Sequence, residues 1–343
     1  MSVHRSSLPA LALALGATVA APHGALANDT MAVLGAGGLR LATTGDVTMT
    51  SEDLYISPDE VRVDYVFTNN SDKDIESVVA FPMPDLETYI ETDIGVADKE
   101  SDNFMNFHVE QDGEEIEPEL QQRVIAGNLD VTEEVDAQGV PKLGLSEKAQ
   151  AAVNKLPPEV QDDWVARGLL YKNVWYEGDK EMSEISPRWT VRSTYWWRTV
   201  FPAKKSVTVH HSYKPVVGGT VAMTYIDNGK PGTNYQDYKT KYCIDDGFMK
   251  ASAKLEQQQK DIPDTYYMES WISYILTTGA NWAGPIGDFH LTVDKGAADA
   301  IVSFCGKDVK KTGPTTFEMR AKEFFPERDL DILIVYKQMI QQQ

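Results

Sequence analysis

The sequence predicts a mainly β fold made of two β-sandwich-like regions with a short helical insertion. Three observations predict it. Short apolar segments alternate inward and outward with a period of two. Turns rich in Gly, Pro, Asn and Asp separate them at near-regular spacing. The middle of the chain, over residues 138–185, switches to helical spacing.

Residues 1–27 read as an export signal rather than as part of the fold. Arg5 gives a positive start, Leu8 to Ala21 is a short apolar run, and Ala25-Leu26-Ala27 is a small-x-small cleavage site before Asn28. The run is too short to span a bilayer, which takes about 20 apolar residues. Periplasmic or extracellular localisation follows. The mature chain would keep 316 of the 343 residues and start at Asn28, with ample length for a buried core.

The N-terminal β region covers 28–137. The stretch Gly35-Ala36-Gly37-Gly38 lacks phosphate-loop spacing and reads as a bend into a strand. From Glu60 to Thr68 the side chains of Val61, Val63, Tyr65 and Phe67 share one face, with Arg62, Asp64 and Thr68 on the other. That is the pattern of a half-buried strand. Asn69 to Asp74 is a polar turn, Ile75 to Phe81 extends again, and Pro82 and Pro84 end the pairing because proline lacks the ladder donor.

The helical insertion covers 138–185. Ser146 caps one helix. Pro157-Pro158 stops it and opens a second, in which Val160, Trp164 and Val165 form an apolar stripe before Gly168.

The C-terminal β region covers 186–343. Trp189 to Phe201 and Lys205 to Tyr213 read as a hairpin joined at Pro202-Ala203-Lys204. Asp246 to Lys260 has helical spacing. Further strands are expected at Met268–Leu276, Phe289–Lys295, Ala300–Cys305, Thr315–Arg320 and Asp329–Tyr336. Cys243 and Cys305, the two cysteines of the chain, are expected to pair, as thiols do in an oxidising compartment. They have no CxxC spacing, which argues against a redox or metal site.

Charge and motifs narrow the function. The chain carries 32 basic and 52 acidic side chains, a balance that repels nucleic acid and anionic lipid. No nucleic-acid partner and no membrane span are expected. No GxSxG elbow, SxxK, HExxH or EF-hand loop is present, so neither catalytic residues nor a metal or cofactor are assigned. Asp72, Asp74, Asp112, Glu114 and Glu115 read as polar turns rather than calcium ligands. His210 and His211 point to opposite strand faces and cannot chelate one ion as neighbours.

The binding candidate is the predicted hairpin. Trp189, Val191, Tyr195, Trp197 and Phe201 form its apolar face, and Arg192, Thr194, Trp196 and Arg198 the other. A tight hairpin would set Trp196 beside His210, with Arg192 and Arg198 at the edge. Such an aromatic plate can stack on a sugar or grip an anion. The competing reading packs Trp196 under the helical insertion and pairs the arginines with surface carboxylates.

Several stretches resemble a family of secreted bacterial proteins known as a domain of unknown function. They are VRVDYVFTNNSDKDIESVVAFPMP (61–84), TVFPAKKSVTVHHSYKPVVG (199–218), NWAGPIGDFHLTVDK (281–295), VSFCG (302–306) and FFPERDLDI (324–332). The NW-GPI segment is the most specific of them. The resemblance implies secretion and carries no catalytic residues across. The first stretch is also similar to the strand–turn–FPLP segment of inter-alpha-trypsin-inhibitor-type β domains, which implies a β-sandwich and no activity. The expected function is an exported, soluble, non-catalytic binding or interaction module of the cell envelope, with a glycan, an anion or a protein as partner. The alternatives are a hydrolase acting on envelope polymers, using His210 or His290, and a structural assembly subunit.

Overall fold

A computed structural model of the chain describes residues 28–35, 38–88, 93–262 and 264–339. The predicted leader, the centre of the glycine bend and the terminal glutamines lie outside the described residues. The fold is mainly β, with three larger sheets of seven, eight and five strands and short helices.

The first sheet runs Leu129–Asp130, Glu119–Ala126, Thr190–Phe201, Ile75–Pro82, Thr30–Gly35 and Gly38–Ala42, with Leu86–Glu87 also pairing to the Thr190–Phe201 strand. The second runs Lys310–Lys311, Thr316–Phe324, Ile286–Asp294, Val47–Ile56, Val61–Asn69, Ser206–Tyr213, His108–Gln111 and Glu114–Ile116. Val47–Ile56 pairs in parallel with Ile286–Asp294. The early and late β segments are therefore interwoven in one sheet.

The inner faces of these two sheets meet as the alternation requires. Trp197 and Phe81 of the first sheet approach His211 of the second, with ring centroids 5.4 and 4.7 Å apart. Phe107 stacks on Tyr195 at 4.3 Å. Aromatic contacts of this kind add to the burial of apolar area, which is the main stabilising term.

The third sheet runs Ile301–Phe304, Leu330–Met339, Thr265–Tyr274, Val217–Thr220 and Asp93–Gly95. It is covered on both faces. Ile272, Tyr274, Ile332 and Ile334 join the main core, while Tyr267, Leu333 and Val335 pack with Tyr242, Phe248 and Leu255 of the helices Tyr235–Tyr242 and Asp246–Asp261. Burial on both sides explains why Ile332 to Val335 reads as a continuous apolar run.

The helical insertion forms as its caps dictate. The Ser146 hydroxyl accepts the Ala149 amide at 3.0 Å, and Pro158 opens the helix Pro158–Ala166, which buries Trp164. A helix Thr132–Ala137 precedes them. Beyond the helices, Leu170–Glu177 and Lys180–Pro187 pair as a separate two-stranded ribbon. Most of this ribbon falls within residues 138–185, expected to be helical; a ribbon wet on both faces shows no alternation of apolar residues.

Cys243 and Cys305 form a disulfide. It ties the end of the Tyr235–Tyr242 helix to the edge strand Ile301–Phe304 of the third sheet. Closing a loop of about 60 residues is worth roughly 4 kcal/mol in the chain-entropy model. The Cys243→Ser/Cys305→Ser double variant is therefore expected to lose about that much in urea unfolding, and reductant should destabilise the native protein but not the variant.

Candidate functional site

The structure separates the residues expected to form one site. Thr190–Phe201 lies between Ile75–Pro82 and Glu119–Ala126, whereas Ser206–Tyr213 lies between Val61–Asn69 and His108–Gln111. The two strands belong to facing sheets, so the predicted hairpin is corrected to a crossover from one sheet to the other. Lys204 adopts a positive φ at the link, and Asp74 accepts the Ala203 amide at 2.8 Å. Both strands carry an apolar face, and laying those faces against each other buries both. A hairpin would have left them side by side.

Trp196 and His210 are therefore not neighbours across a hairpin. Trp196 is only 8 % exposed and packs with Ala32, Val78 and Ala80 under Leu39 and Leu41. Its cover is the Gly38–Ala42 strand rather than the helical insertion. Arg192 makes a two-pronged pair with Asp85, at 3.0 and 2.7 Å, which raises the guanidinium pKa further. Arg198 is exposed beside an open groove lined also by Met31, Glu76 and Val200.

His210 belongs to a row of polar side chains on the outer face of the second sheet. Strand register sets Glu110, His210, Asp64, Asp53, His290 and Arg320 side by side. His210 Nδ1 lies 2.8 Å from Asp64, and His290 sits between Asp53 at 3.1 Å and Glu318 at 3.2 Å. Asp53 and Asp64 oppose each other directly, a costly arrangement that each imidazole can relieve when protonated. Among the described residues no group of His, Cys, Asp and Glu is arranged to hold a metal ion.

The second concentration of polar chemistry is buried, and sequence reasoning missed it. Asn28, Asp29, Thr30, Glu52 and His211 are buried between the sheets. A bulge between Met49 and Ser51 shifts the pairing register by one. Glu52 is buried beyond it, where plain alternation gives no warning of the phase change. The Asn28 Nδ2 donates to Glu52 at 3.0 Å, the Tyr65 hydroxyl donates to Asn28 Oδ1, and Tyr65 and Tyr274 share a hydrogen bond at 2.9 Å. The NW-GPI segment clamps the same stretch. Trp282 Nε1 donates to the Asp29 carbonyl at 2.6 Å, and Asn281 Nδ2 donates to Thr30 Oγ1 at 2.9 Å.

Burial dominates the titration of this centre. It pushes Glu52 up to about 8, against hydrogen bonds from Asn28 and Tyr274 that pull it down. It holds Asp29 well above the usual carboxylate range, with Glu52 adding to the effect. Burial first, and His210 second, hold His211 well below the ordinary imidazole value. Both oxygens of Asp29, one of Glu52 and both ring nitrogens of His211 have no hydrogen-bond partner among the described residues.

The chain belongs to the family described as domain of unknown function DUF4424, whose model matches residues 27–333. Among curated proteins, none matches it. Among solved structures it is similar to a Legionella pneumophila protein provisionally described as nutrient-binding, at 13 % identity and a TM-score of 0.40, over 90 % of this chain and 70 % of that one. It is also similar to an M1 zinc metallopeptidase of Deinococcus radiodurans, at 8 % identity and a TM-score of 0.26, over 85 % of this chain and 43 % of that one. The E323A mutant of that peptidase, bound to a Tyr-Ser-Ala substrate, gives 9 % and 0.27, again over 43 % of its length. The chain thus spans less than half of the peptidase chains, and likenesses at this level carry no argument about activity.

The packing of Trp196 separates a core role from a ligand platform. Trp196→Ala is expected to cost about 3 kcal/mol of stability, whereas Arg198→Ala should stay within about 0.5 kcal/mol. Thermal and urea unfolding of the two variants check this.

Proposed function

We propose that this family member is an exported, disulfide-bonded module of the cell envelope that works by binding a protein partner rather than by catalysis, and that the ribbon Leu170–Glu177/Lys180–Pro187 makes the contact. One observation carries the reading. The ribbon exposes Val174 and Tyr176 on one face, Tyr176 at 67 %, and Trp175 on the other, although such side chains stabilise a fold only when covered. Exposed apolar and aromatic side chains gathered on one projecting element mark interaction sites.

The ribbon is fixed at its base and free at its tip. Leu170, Ser186 and Pro187 are buried, and Gln150 donates to the Ile185 carbonyl at 2.6 Å. Toward the tip, Trp175 Nε1 meets Glu177 at 3.3 Å and the Tyr176 hydroxyl meets Glu181 at 3.2 Å. In the ribbon only the inner edge of each strand is paired. The outer edges can accept an extended segment, and the aromatic side chains can anchor it. A protein partner fits this better than a glycan, because Trp196, the aromatic platform for sugar stacking, is largely buried.

The other features agree with this placement. The Cys243–Cys305 bridge suits an oxidising compartment. Among the described residues no helix is long and apolar enough to cross a membrane.

The test compares the wild type with Trp175→Ala/Tyr176→Ala as bait on an envelope extract, with retained proteins identified and the binding repeated with the purified partner. Loss of these anchors is expected to weaken binding by about 2 kcal/mol, roughly 30-fold, with the melting temperature unchanged. Equal retention by both baits overturns the assignment of the ribbon.

A further inference from the structure

The buried polar centre holds two carboxyl groups without a matching cation. Among the described residues, Asp29 has one ionisable partner, His211, whose Nε2 is 3.6 Å away and too far for a hydrogen bond, and burial holds that imidazole well below its ordinary value. Glu52 has none, and one of its oxygens lacks any hydrogen-bond partner. Lone buried carboxyls of this kind are expensive unless a positive group joins them.

The same centre also buries an unusual part of the chain. Asn28, Asp29 and Thr30 have no exposure. The Asn28 amide nitrogen donates to Thr278 Oγ1, which in turn donates to the Asn28 carbonyl at 2.7 Å. Gly279 leaves the space, since a Cβ there would lie 2.8 Å from Asn28 Nδ2. Residues at the start of a domain are ordinarily exposed. A preceding residue must leave a buried position by some path, whereas a chain end needs none.

We propose that the peptide bond between Ala27 and Asn28 is the processing site, and that the α-ammonium group released on Asn28 is the cation of this centre, facing Glu52 and Asp29. Hydrolysis by a leader peptidase balances simply. Water supplies the hydroxyl of the new Ala27 carboxyl and a hydrogen to the Asn28 nitrogen, and the resulting amine takes a proton from solution. One amide donor becomes three donors with a positive charge, on the same residue whose side chain already touches Glu52 at 3.0 Å. The unpartnered oxygens of Asp29 and Glu52 lie in the same buried cluster as Asn28. The role of the NW-GPI segment follows: with Thr278 and Gly279 it forms the seat of the processed terminus.

The pH dependence differs between the two forms. With Asn28 still in peptide linkage, burial holds the Glu52 and Asp29 carboxyls above their unfolded range. Stability is then full at low pH and falls as pH rises toward 8. His211, neutral when folded, acts in the opposite sense below about 6.5. Tyr65, Tyr213 and Tyr274, also in the centre, are held above their ordinary value by burial and stay neutral in this range. Between about pH 6.5 and 8 the groups at work are the carboxyls and, in a processed chain, the α-amine, which titrates near 8 when unfolded. A processed chain pairs the two and should fall less steeply there than the unprocessed one.

The inference shares only the export step with the function proposed above. Loss of ribbon binding leaves it intact, and a different N-terminus leaves the ribbon intact. In the test, the chain is exported under its own leader and its N-terminus read by intact mass. A second chain carries Gly and Ser inserted after Ala27, so that export leaves it two residues longer. The first is expected to begin at Asn28, and the second to melt at least about 5 °C lower at pH 7.5, with a gap that widens from pH 6.5 to 8. The gap should close in the Asp29→Asn/Glu52→Gln background. In the folded first chain the α-amine should react with an amine reagent at least about ten-fold more slowly than after unfolding, a readout that needs no substitution. Another N-terminus, equal melting, a gap that persists without the carboxyls, rescue of the longer chain by added sodium or calcium, or an unprotected α-amine would each overturn the proposal.

Discussion

The fold depends on how Asn28, Asp29 and Thr30 are seated between the sheets. Thr30 begins the strand Thr30–Gly35, which pairs with Ile75–Pro82 and carries the Gly38–Ala42 strand outside it. The seat is built from distant parts of the chain: Thr278 and Trp282 from the segment after the third sheet, Tyr65 from the second. A first-sheet strand, a second-sheet tyrosine and the link between Thr265–Tyr274 and Ile286–Asp294 thus converge on three residues. Backbone hydrogen bonds in a buried place are obligatory, and leaving one unmade costs more than making it gains. The seat therefore specifies position more than it adds stability.

A second constraint comes from the crossover between Phe201 and Ser206. A short link after a long strand allows either a hairpin or a step across the core. The apolar faces decide it. Trp197 and Phe201 on one side, and Val207, Val209 and Tyr213 on the other, are all buried. Burying a large apolar side chain contributes roughly 1.5–3 kcal/mol, so facing sheets that bury both rows prevail over a turn that would leave one exposed. The outer faces are left for charged side chains, and the row from Glu110 to Arg320 follows.

Local periodicity made much of this legible, and long-range pairing did not. The alternation of Val61 to Phe67, the Ser146 cap, the Pro158 helix start and the Asp246–Asp261 helix all appear where the residues place them. His211 turned inward, opposite to His210, for the same reason. The register of Val47–Ile56 against Ile286–Asp294 had no local signal, because partners so far apart in the chain leave no turn chemistry to read. Arg192, Trp196, Arg198 and His210 share a polar face on paper. Only the choice of sheet partner reveals that Trp196 is under another strand and that His210 lies in a different sheet. Glu52 was hidden by a bulge, and the Leu170–Pro187 ribbon by the absence of any buried face.

The NW-GPI segment is the point at which family resemblance and physics meet. A motif that supplies no nucleophile, metal ligand or phosphate loop still needs a reason for its residue types. Trp282 supplies one indole N–H to a buried carbonyl and a large ring against Phe67, at 4.3 Å. Asn281 gives its side chain to Thr30 and its carbonyl to the Thr44 amide. Both are demands of a buried seat for backbone, and a smaller or purely apolar residue meets neither. The disulfide acts on the same third sheet from its other side, fixing the helices that cover Leu333 and Val335. The bridge and the seat thus hold the third sheet's flank and the start of the described chain from two directions, one by a covalent link and one by buried hydrogen bonds.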